Sequence, residues 1–406
     1  MPHFKVKQLK LPKLPFRVTN SLGEFIFLEQ FSATLNPNFS LLQVEFKSKN
    51  QQKKEFFLEI KQAKDSTLMR FDKYSRIAPV EIIKNALHIL KNQQTTLICD
   101  NLNAANLPLE SKLPFIKTIK DFLDFNSLKK QYDFKEIWLE IGFGSGRHLL
   151  HNAQNHKDIL HIGLEIHNPS LEQVARQIGL MDLKNILILN YDARIFLELL
   201  PSNILNKIFV HFPVPWDKKP HRRIFSEAFL NQASRVLNKG GILQLRTDSF
   251  EYFEFVKNLS SKFTNVFKIN FDKNAKNAVI SKYEARWIRE QKDIFNIEFY
   301  ATQESKEKTL DFNFSFLDST LPHIEAFKKI KFIEKDYFLH IEELFLGQKN
   351  KLLKITFGDF NYPESRYILE NKAIKYFRND PLPTKINHKA HKMLLNSLKD
   401  STKETL

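Results

Sequence analysis

Ile137-Trp138-Leu139-Glu140-Ile141-Gly142-Phe143-Gly144-Ser145-Gly146 runs from an apolar strand straight into glycines at every second position. Glycine lacks a Cβ, so backbone at these three positions can turn sharply and lie close against a ligand. A diphosphate-binding loop has the spacing G-x-G-x-x-G at the opening of a helix. Here the glycines fall at 142, 144 and 146 behind an acid, Glu140. A carboxylate beside the loop repels a diphosphate and welcomes a cation. The cofactor this favours is S-adenosylmethionine, which carries ammonium and sulfonium charges.

Two more acids follow at the ends of the next strands. His161-Ile162-Gly163-Leu164 reads as a second strand closed by Glu165, 19 residues past Gly146, the usual place for a ribose-hydroxyl acceptor. A helix opened by Ser170 leads to a third strand, Ile186 to Leu189, and then to Asp192, a candidate acceptor for an adenine amino group. Any one of these acids is explained equally well as a helix cap or a solvated loop residue. Three at successive strand ends favour a shared ligand.

After Asp192 the alternation continues with a strand at Lys207 to His211, a helix from Arg223 to Leu237, a turn at Lys239-Gly240-Gly241 and a strand from Ile242 to Thr247. Alternating strands and helices predict an α/β domain with a doubly wound, mostly parallel sheet whose ligands sit at the carboxyl ends of the strands. Phe212-Pro213-Val214-Pro215-Trp216 follows the fourth strand and so belongs beside the glycine loop. Its two prolines stiffen the segment and offer Trp216 as a stacking surface for a base. A hydrophobic corner that packs a helix is the plainer alternative for Trp216.

Composition bounds the rest. The chain has 406 residues, 42% of them hydrophobic, enough for two or three domains. Lys and Arg number 62 against 46 acids, leaving +16, which points to a polyanionic partner. Part of that surplus is background, because 38 Phe, 10 Gly and many Lys and Asn mark a general compositional bias. The single Cys99 excludes an internal disulfide and a CxxC zinc site, which suits a reducing cytoplasm. No run has the length and apolarity of a signal core or a membrane span. Of the five histidines between His148 and His167, His148 and His151 lie three apart with no carboxylate near them in sequence, so no metal is expected.

The chain divides into three parts, with boundaries near 114 and 300. Phe25 to Leu28 and Leu42 to Phe46 alternate as strands of a small antiparallel sheet, with turns at Asn36-Pro37-Asn38 and Ser48-Lys49-Asn50, and Pro79 to Leu90 is an amphipathic helix. A polar bridge from Asp100 to Pro114 leads to the central domain, 115–300. Beyond a polar stretch, Thr302 to Thr309, a second β-rich part begins with the alternating Phe312 to Phe316 and continues through Tyr337 to Phe345 and Leu352 to Phe357. Lys385 to Leu406 reads as a frayed basic helix.

At this point the sequence resembles the tRNA (guanine-N7)-methyltransferases of the bacterial single-subunit type. The resemblance rests on Leu139 to Gly146, on Gly163-Leu164-Glu165-Ile166-His167, and on Phe212 to Arg223. It extends to Arg246-Thr247-Asp248 and Ser281-Lys282-Tyr283-Glu284-Ala285-Arg286, and covers roughly residues 131–300. It implies a class I, Rossmann-like domain in which Glu140, Gly142, Gly144, Gly146, Glu165 and Asp192 hold S-adenosylmethionine. Lys218, Asp248 and the segment Ser281, Lys282, Tyr283, Glu284 would hold the tRNA, with Ser281 where the family has threonine. No membrane and no obligate protein partner are implied.

One departure bears on chemistry. The family motif reads Phe-Pro-Asp-Pro-Trp with a catalytic aspartate, and this chain has Val214 there. Guanine N7 is unprotonated at neutral pH and needs no general base, so alignment can supply much of the barrier reduction. A carboxylate would instead grip the guanine N1 and N2 donors and stabilise the cationic product, a role open to Asp217 or Asp248. The basic cluster Lys218, Lys219, Arg222 and Arg223, joined by a protonated His221, is positioned to hold phosphates at a helix start. Two other readings remain: a tRNA-binding protein that lost turnover with the aspartate, and a methyltransferase for another substrate.

Overall fold

The computed structural model describes residues 1–103, 113–132, 134–275, 289–290, 292–308, 312–317, 319–360 and 362–403. They form two compact units, one of Lys112–Leu310 and one that combines Met1–Ser111 with Asp311–Leu406.

The combined unit is built on a twelve-stranded antiparallel sheet. Its first half comprises β1 (His3–Val6), β2 (Phe16–Thr19), β3 (Gly23–Ala33), β4 (Phe39–Ser48), β5 (Lys53–Ala63), β6 (Ser66–Phe71), helix α1 (Val80–Lys91) and β7 (Leu97–Asp100). Helix α1 buries Ile82, Ile83, Ala86, Leu87 and Leu90, spaced at one helical face, against Phe4, Phe25, Phe27 and Leu58.

The central unit holds α2 (Phe125–Gln131), β8 (Glu136–Ile141), α3 (Arg147–Asn155), β9 (Ile159–Leu164), α4 (Asn168–Leu180), β10 (Ile186–Leu189), α5 (Ala193–Leu199), β11 (Leu205–His211), α6 (Glu227–Val236), β12 (Leu237–Thr247), α7 (Phe250–Ser260), β13 (Phe267–Lys273) and β14 (Phe295–Ala301). Its seven strands lie in the order β10-β9-β8-β11-β12-β14-β13. The pairings from β10 to β12 are parallel, whereas β14 runs antiparallel to both neighbours, so the sheet is mixed at one edge. The chain steps outward from β8 through β9 to β10 and then returns to β11 on the other side of β8. The loops after β8 and β11 are thereby neighbours at the switch point where such sheets bind ligands. Leu171, Val174, Ala175 and Ile178 of α4 are spaced at three, four and seven residues and bury against Leu149, Leu150 and Ala153 of α3.

Strand β12 begins at Leu237, so the turn expected at Lys239-Gly240-Gly241 is an irregularity within the strand, where the register to β11 shifts, and two helix starts also differ from the sequence reading. Helix α4 opens at Asn168 rather than Ser170, because Pro169 suits the first helical turn and His167 takes the cap position. Helix α6 opens at Glu227, capped by Ser226, because Arg223 is occupied elsewhere in the preceding loop.

The C-terminal half supplies β15 (Ile330–Ile333), β16 (Phe338–Leu346), β17 (Lys351–Gly358), β18 (Pro363–Glu370), β19 (Ile374–Tyr376) and α8 (Lys385–Lys403). The two ends of the chain, read from sequence as separate appendages, share one sheet: β16 pairs with β3 through Phe345 to Ala33 and Leu346 to Ser32. Phe31, Leu41 and Phe57 from one half pack with Phe345, Leu352, Tyr367 and Phe377 from the other. Asp72 seals the joint by accepting from Tyr367 Oη at 3.0 Å, and burial pushes both the Asp72 carboxyl and the Tyr367 phenol up from their ordinary values. Phe312 to Phe316 is not a strand; its alternating rings insert into the core, where Phe314 and Phe316 meet His391 and Tyr376. Nor is α8 frayed in its body, because Ala390, Leu394 and Leu398 are buried in the same core. Among the described residues no helix is long and apolar enough to cross a membrane.

Candidate active site

All three glycines of the loop after β8 have left-handed backbone, with φ of 72°, 51° and 73° at Gly142, Gly144 and Gly146. Their neighbourhoods differ. A Cβ on Gly146 would stand 2.4 Å from Val174 Cγ2, so this glycine lets α3 approach α4. A Cβ on Gly142 would meet nothing within 4 Å, and one on Gly144 only the Gly142 carbonyl at 4.0 Å. These two therefore present bare backbone to open space, as a loop that receives a ligand must.

The ends of β8 and β9 are tied by the acid expected there. Glu165 accepts from the Gly144 N–H through Oε2 and from the His167 N–H through Oε1, both at 2.9 Å. Each carboxylate oxygen keeps a second lone pair for a hydroxyl donor. Glu140 is buried, and His148 Nδ1 donates to its Oε2 at 2.8 Å. His148 thus does have a carboxylate partner, one that α3 brings back over β8 and that distance along the chain concealed. The His148 ring also faces His211 at 4.5 Å between centroids, and His211 Nε2 donates to Gln244 Oε1. Desolvation and the neighbouring His148 hold the His211 imidazole well below its ordinary range.

Asp192 lies at the end of β10 as expected, but its oxygens are engaged. Oδ1 accepts from the Arg194 N–H and Nε, and Oδ2 accepts from Arg194 Nη2 at 2.6 Å, which makes Asp192 the cap of α5 and an ion-pair partner. The aspartate immediately before a helix was the available signal for the cap.

The segment after β11 is strained. Phe212 and Trp216 bracket Pro213-Val214-Pro215 with φ of 51° and 49°, a region that costs a non-glycine residue about 1 to 3 kcal/mol. The Phe212 N–H donates to the Arg246 carbonyl at 2.7 Å, joining this loop to the end of β12, where Asp248 sits half-buried just before the α7 cap Ser249. Val214 is 61% exposed, so a side chain here faces solvent or a substrate rather than the core. Trp216 is partly exposed and carries the Arg222 guanidinium over its ring at 5.1 Å.

The basic cluster divides in two. Lys218, Lys219 and Arg222 are exposed, whereas Arg223 is buried. Arg223 Nε donates to the Pro215 carbonyl at 2.7 Å, its Nη2 reaches Asp217 at 3.3 Å, and its guanidinium lies over Tyr252 and Phe255. Arg223 is therefore a latch for the strained loop and not a phosphate ligand, and it engages the Asp217 carboxylate. The cluster also straddles a single 3-10 turn, Pro220–Arg222, so no α-helix terminus aids anion binding there. Ser281, Lys282, Tyr283 and Glu284 lie outside the described residues.

The carboxylates of Glu140 and Glu165 and the open glycine backbone fit a ligand with a cationic end and hydroxyl donors, whereas Asp192 fits only if Arg194 shares it. Comparison with known proteins agrees. A family model described as a putative methyltransferase matches residues 135–297. A tRNA (guanine-N(7)-)-methyltransferase of Wolinella succinogenes is 42% identical over 97% of this chain and 99% of its own length. Proteins of the same name from Helicobacter hepaticus and Campylobacter jejuni are each 37% identical, over 98% and 99% of this chain and 99% of their own lengths. Likeness at this level runs through both units as well as the glycine loop, and the chain belongs to the tRNA (guanine-N7)-methyltransferase family.

Proposed function

We propose that the central unit transfers a methyl group to N7 of the variable-loop guanosine, position 46, of tRNA by in-line attack of N7 on the methyl carbon. S-adenosylmethionine supplies that electrophilic methyl group. The observation that carries the proposal is the junction of the glycine loop with Glu165 beside the Phe212 to Trp216 segment, which brings a cofactor platform and a strained substrate loop to neighbouring strand ends. Glu165 accepts from ribose hydroxyls, Glu140 provides negative charge held in place by His148, and Gly142 and Gly144 allow close approach. Asp192, paired with Arg194, takes a lesser share. Asp248 accepts from the guanine N1 and N2 groups and stabilises the positive charge that methylation creates on the ring. Asp217, engaged by Arg223, is the weaker candidate for that role. Trp216 stacks on a base, and Lys218 and Arg222 hold phosphates. The segment Ser281 to Glu284 belongs to the substrate site by the family resemblance alone.

The terminal unit widens the RNA-binding surface. Residues 1–111 carry 16 basic and 10 acidic side chains and residues 311–406 carry 16 and 13, so more than half of the +16 surplus lies there. Incubation of the protein with labelled S-adenosylmethionine and unmodified tRNA, followed by mapping of alkali-labile 7-methylguanosine, tests the activity. A product at another atom or on another RNA would overturn it, and binding without turnover would favour the tRNA-binding reading that Val214 suggests.

A further inference from the structure

The outer strands of the central sheet carry a polar cavity of about 500 Å³ that the chemistry above does not use. Gln244 of β12, Glu298 and Asn296 of β14, and Asn270 and Asp272 of β13 line it, with Ala275 at its rim. The register makes this arrangement unavoidable. Gln244, Glu298 and Asn270 stand side by side on three strands, and Arg246, Asn296 and Asp272 form the next row toward the carboxyl end of β12. Residues two apart on a strand share a face, so six polar side chains share one side of the sheet, and all but Arg246 line the cavity.

Most of the polar groups are spoken for. Gln244 Nε2 donates to Glu298 Oε1 at 3.1 Å, Tyr300 Oη donates to Glu298 Oε2 at 2.5 Å, and both Nη atoms of Arg246 donate to the Ala275 carbonyl. Among the side chains that line the cavity, Asn296 is the exception: its residue is 5% exposed, yet its buried Oδ1 has no hydrogen-bond partner. An orphaned buried acceptor costs roughly 1 to 3 kcal/mol, so its retention in a cavity wall calls for an external donor. The walls also set the sign of the ligand. The Glu298 and Asp272 carboxylates exclude a phosphate and favour N–H donors.

We propose that this cavity is a second base subsite, which takes a nucleobase bearing an exocyclic amino group, held through its donor edge by Asn296 Oδ1 and the carboxylate wall. The volume lies in the range of small-ligand sites, about 300 to 1,000 Å³. The proposal rests on the central unit acting on RNA, and it places there a base other than the one methylated. Asp248 and the strained loop stand at the ends of β12 and β11, whereas β14 and β13 are one and two strands farther out, about 5 and 10 Å. A guanine gripped at Asp248 leaves the cavity to a neighbour splayed from the same strand, the usual manner in which single-stranded RNA is read.

The test is a cycle between protein and RNA. Steady-state methylation and equilibrium binding are measured for the full-length protein and Asn296→Ala, each with tRNA transcripts carrying one abasic site at successive positions flanking the target. Asn296→Ala is expected to raise KM and Kd for tRNA about tenfold with kcat and cofactor affinity unchanged. One abasic position is expected to weaken the natural protein equally and to have no further effect on the variant. Independent, multiplying losses at every position would overturn the subsite. Should Asn296→Ala fail to fold, Asp272→Ala, at an exposed wall position, carries the same cycle. Free guanosine or adenosine that raises the melting temperature of the natural protein but not of the variant, without coupling to any RNA position, would assign the cavity to a free nucleoside and overturn the RNA-base proposal. Absence of any methylation would refute the activity itself, while the binding series would still read the subsite.

Discussion

Gly144→Ala and Gly146→Ala make the same chemical change two residues apart and should fail in different ways. Both sites have positive φ, so each alanine costs about 1 to 2 kcal/mol in backbone strain. At Gly146 the new methyl would also stand 2.4 Å from Val174 Cγ2 and 3.2 Å from Cγ1. Overpacking of that kind adds about 1 to 3 kcal/mol, which brings the total to roughly 2 to 5 kcal/mol. In a unit of this size, 1 kcal/mol moves the midpoint by about 2 to 4 °C, so Gly146→Ala should melt roughly 4 to 20 °C below the natural protein. At Gly144 the nearest atom to the new methyl is the Gly142 carbonyl at 4.0 Å, so strain alone lowers stability, by a few degrees. That methyl instead occupies space on the open side of the loop, and S-adenosylmethionine affinity should fall at least tenfold. Scanning calorimetry and titration calorimetry on both variants measure the two effects. Unchanged cofactor affinity in Gly144→Ala would mean that the open side of the loop is not the binding side. A Gly146→Ala protein as stable as the natural one would refute the packing role assigned to that glycine.

Four further outcomes follow from the site. Glu165→Ala should weaken S-adenosylmethionine binding by about 1.5 to 3 kcal/mol, because it removes a charged acceptor and releases the Gly144 N–H; titration calorimetry reads this directly. Lys218→Ala with Arg222→Ala should raise KM for tRNA and flatten its salt dependence, whereas Arg223→Ala should lower the melting temperature, since it strips the latch on the Pro215 carbonyl; an equal effect of all three on salt dependence would reverse that division. Asp248→Asn should cut single-turnover methylation strongly while Val214→Asp, at an exposed position, is tolerated; a fully active Asp248→Asn enzyme would end the role assigned to that carboxylate. His161 is buried and held down to about 4, chiefly by desolvation, so the unfolded chain binds its proton more readily; the neutral ring's contribution is intact above about pH 6.5 and is lost as pH falls toward 4, by about 3 kcal/mol, and His161→Phe should flatten urea-denaturation stability across that window.

The sequence was informative where periodicity and turn chemistry act locally. The apolar runs that became β8 to β12 and the glycine loop were legible because each segment has one buried face and a turn residue at its end. The place of Glu165 at the end of β9 was legible because its distance from the loop is fixed by one strand-helix-strand unit. What escaped was set by contacts distant in the chain or by competition between neighbours. Asp192 looked like a free acceptor until Arg194, two residues away, claimed it. Arg223 looked like a fourth surface cation, yet the strained loop required a buried donor for the Pro215 carbonyl. His148 was read as remote from any carboxylate, although the glycine loop turns the start of α3 back against Glu140. The rings at Phe312 to Phe316 alternate like a strand because each buries a side chain, while the backbone pairs with nothing in the sheet.

The pairing of Ala33 with Phe345 also has a temporal side. A ribosome adding about 5 to 20 residues per second needs roughly 15 to 60 s to travel from one partner to the other. Throughout that interval the Ser32–Ala33 end of β3, beyond its pairing with β2, shows an open hydrogen-bonding edge, and Phe39 and Phe57 wait for rings not yet made. The whole methyl-transferring unit emerges first, so nascent chains hold a finished catalytic sheet and half of an unfinished one. Chains interrupted between the two strands carry a ready template for aberrant pairing. Slow translation or early termination in that window should therefore appear as aggregation rather than as lost chemistry.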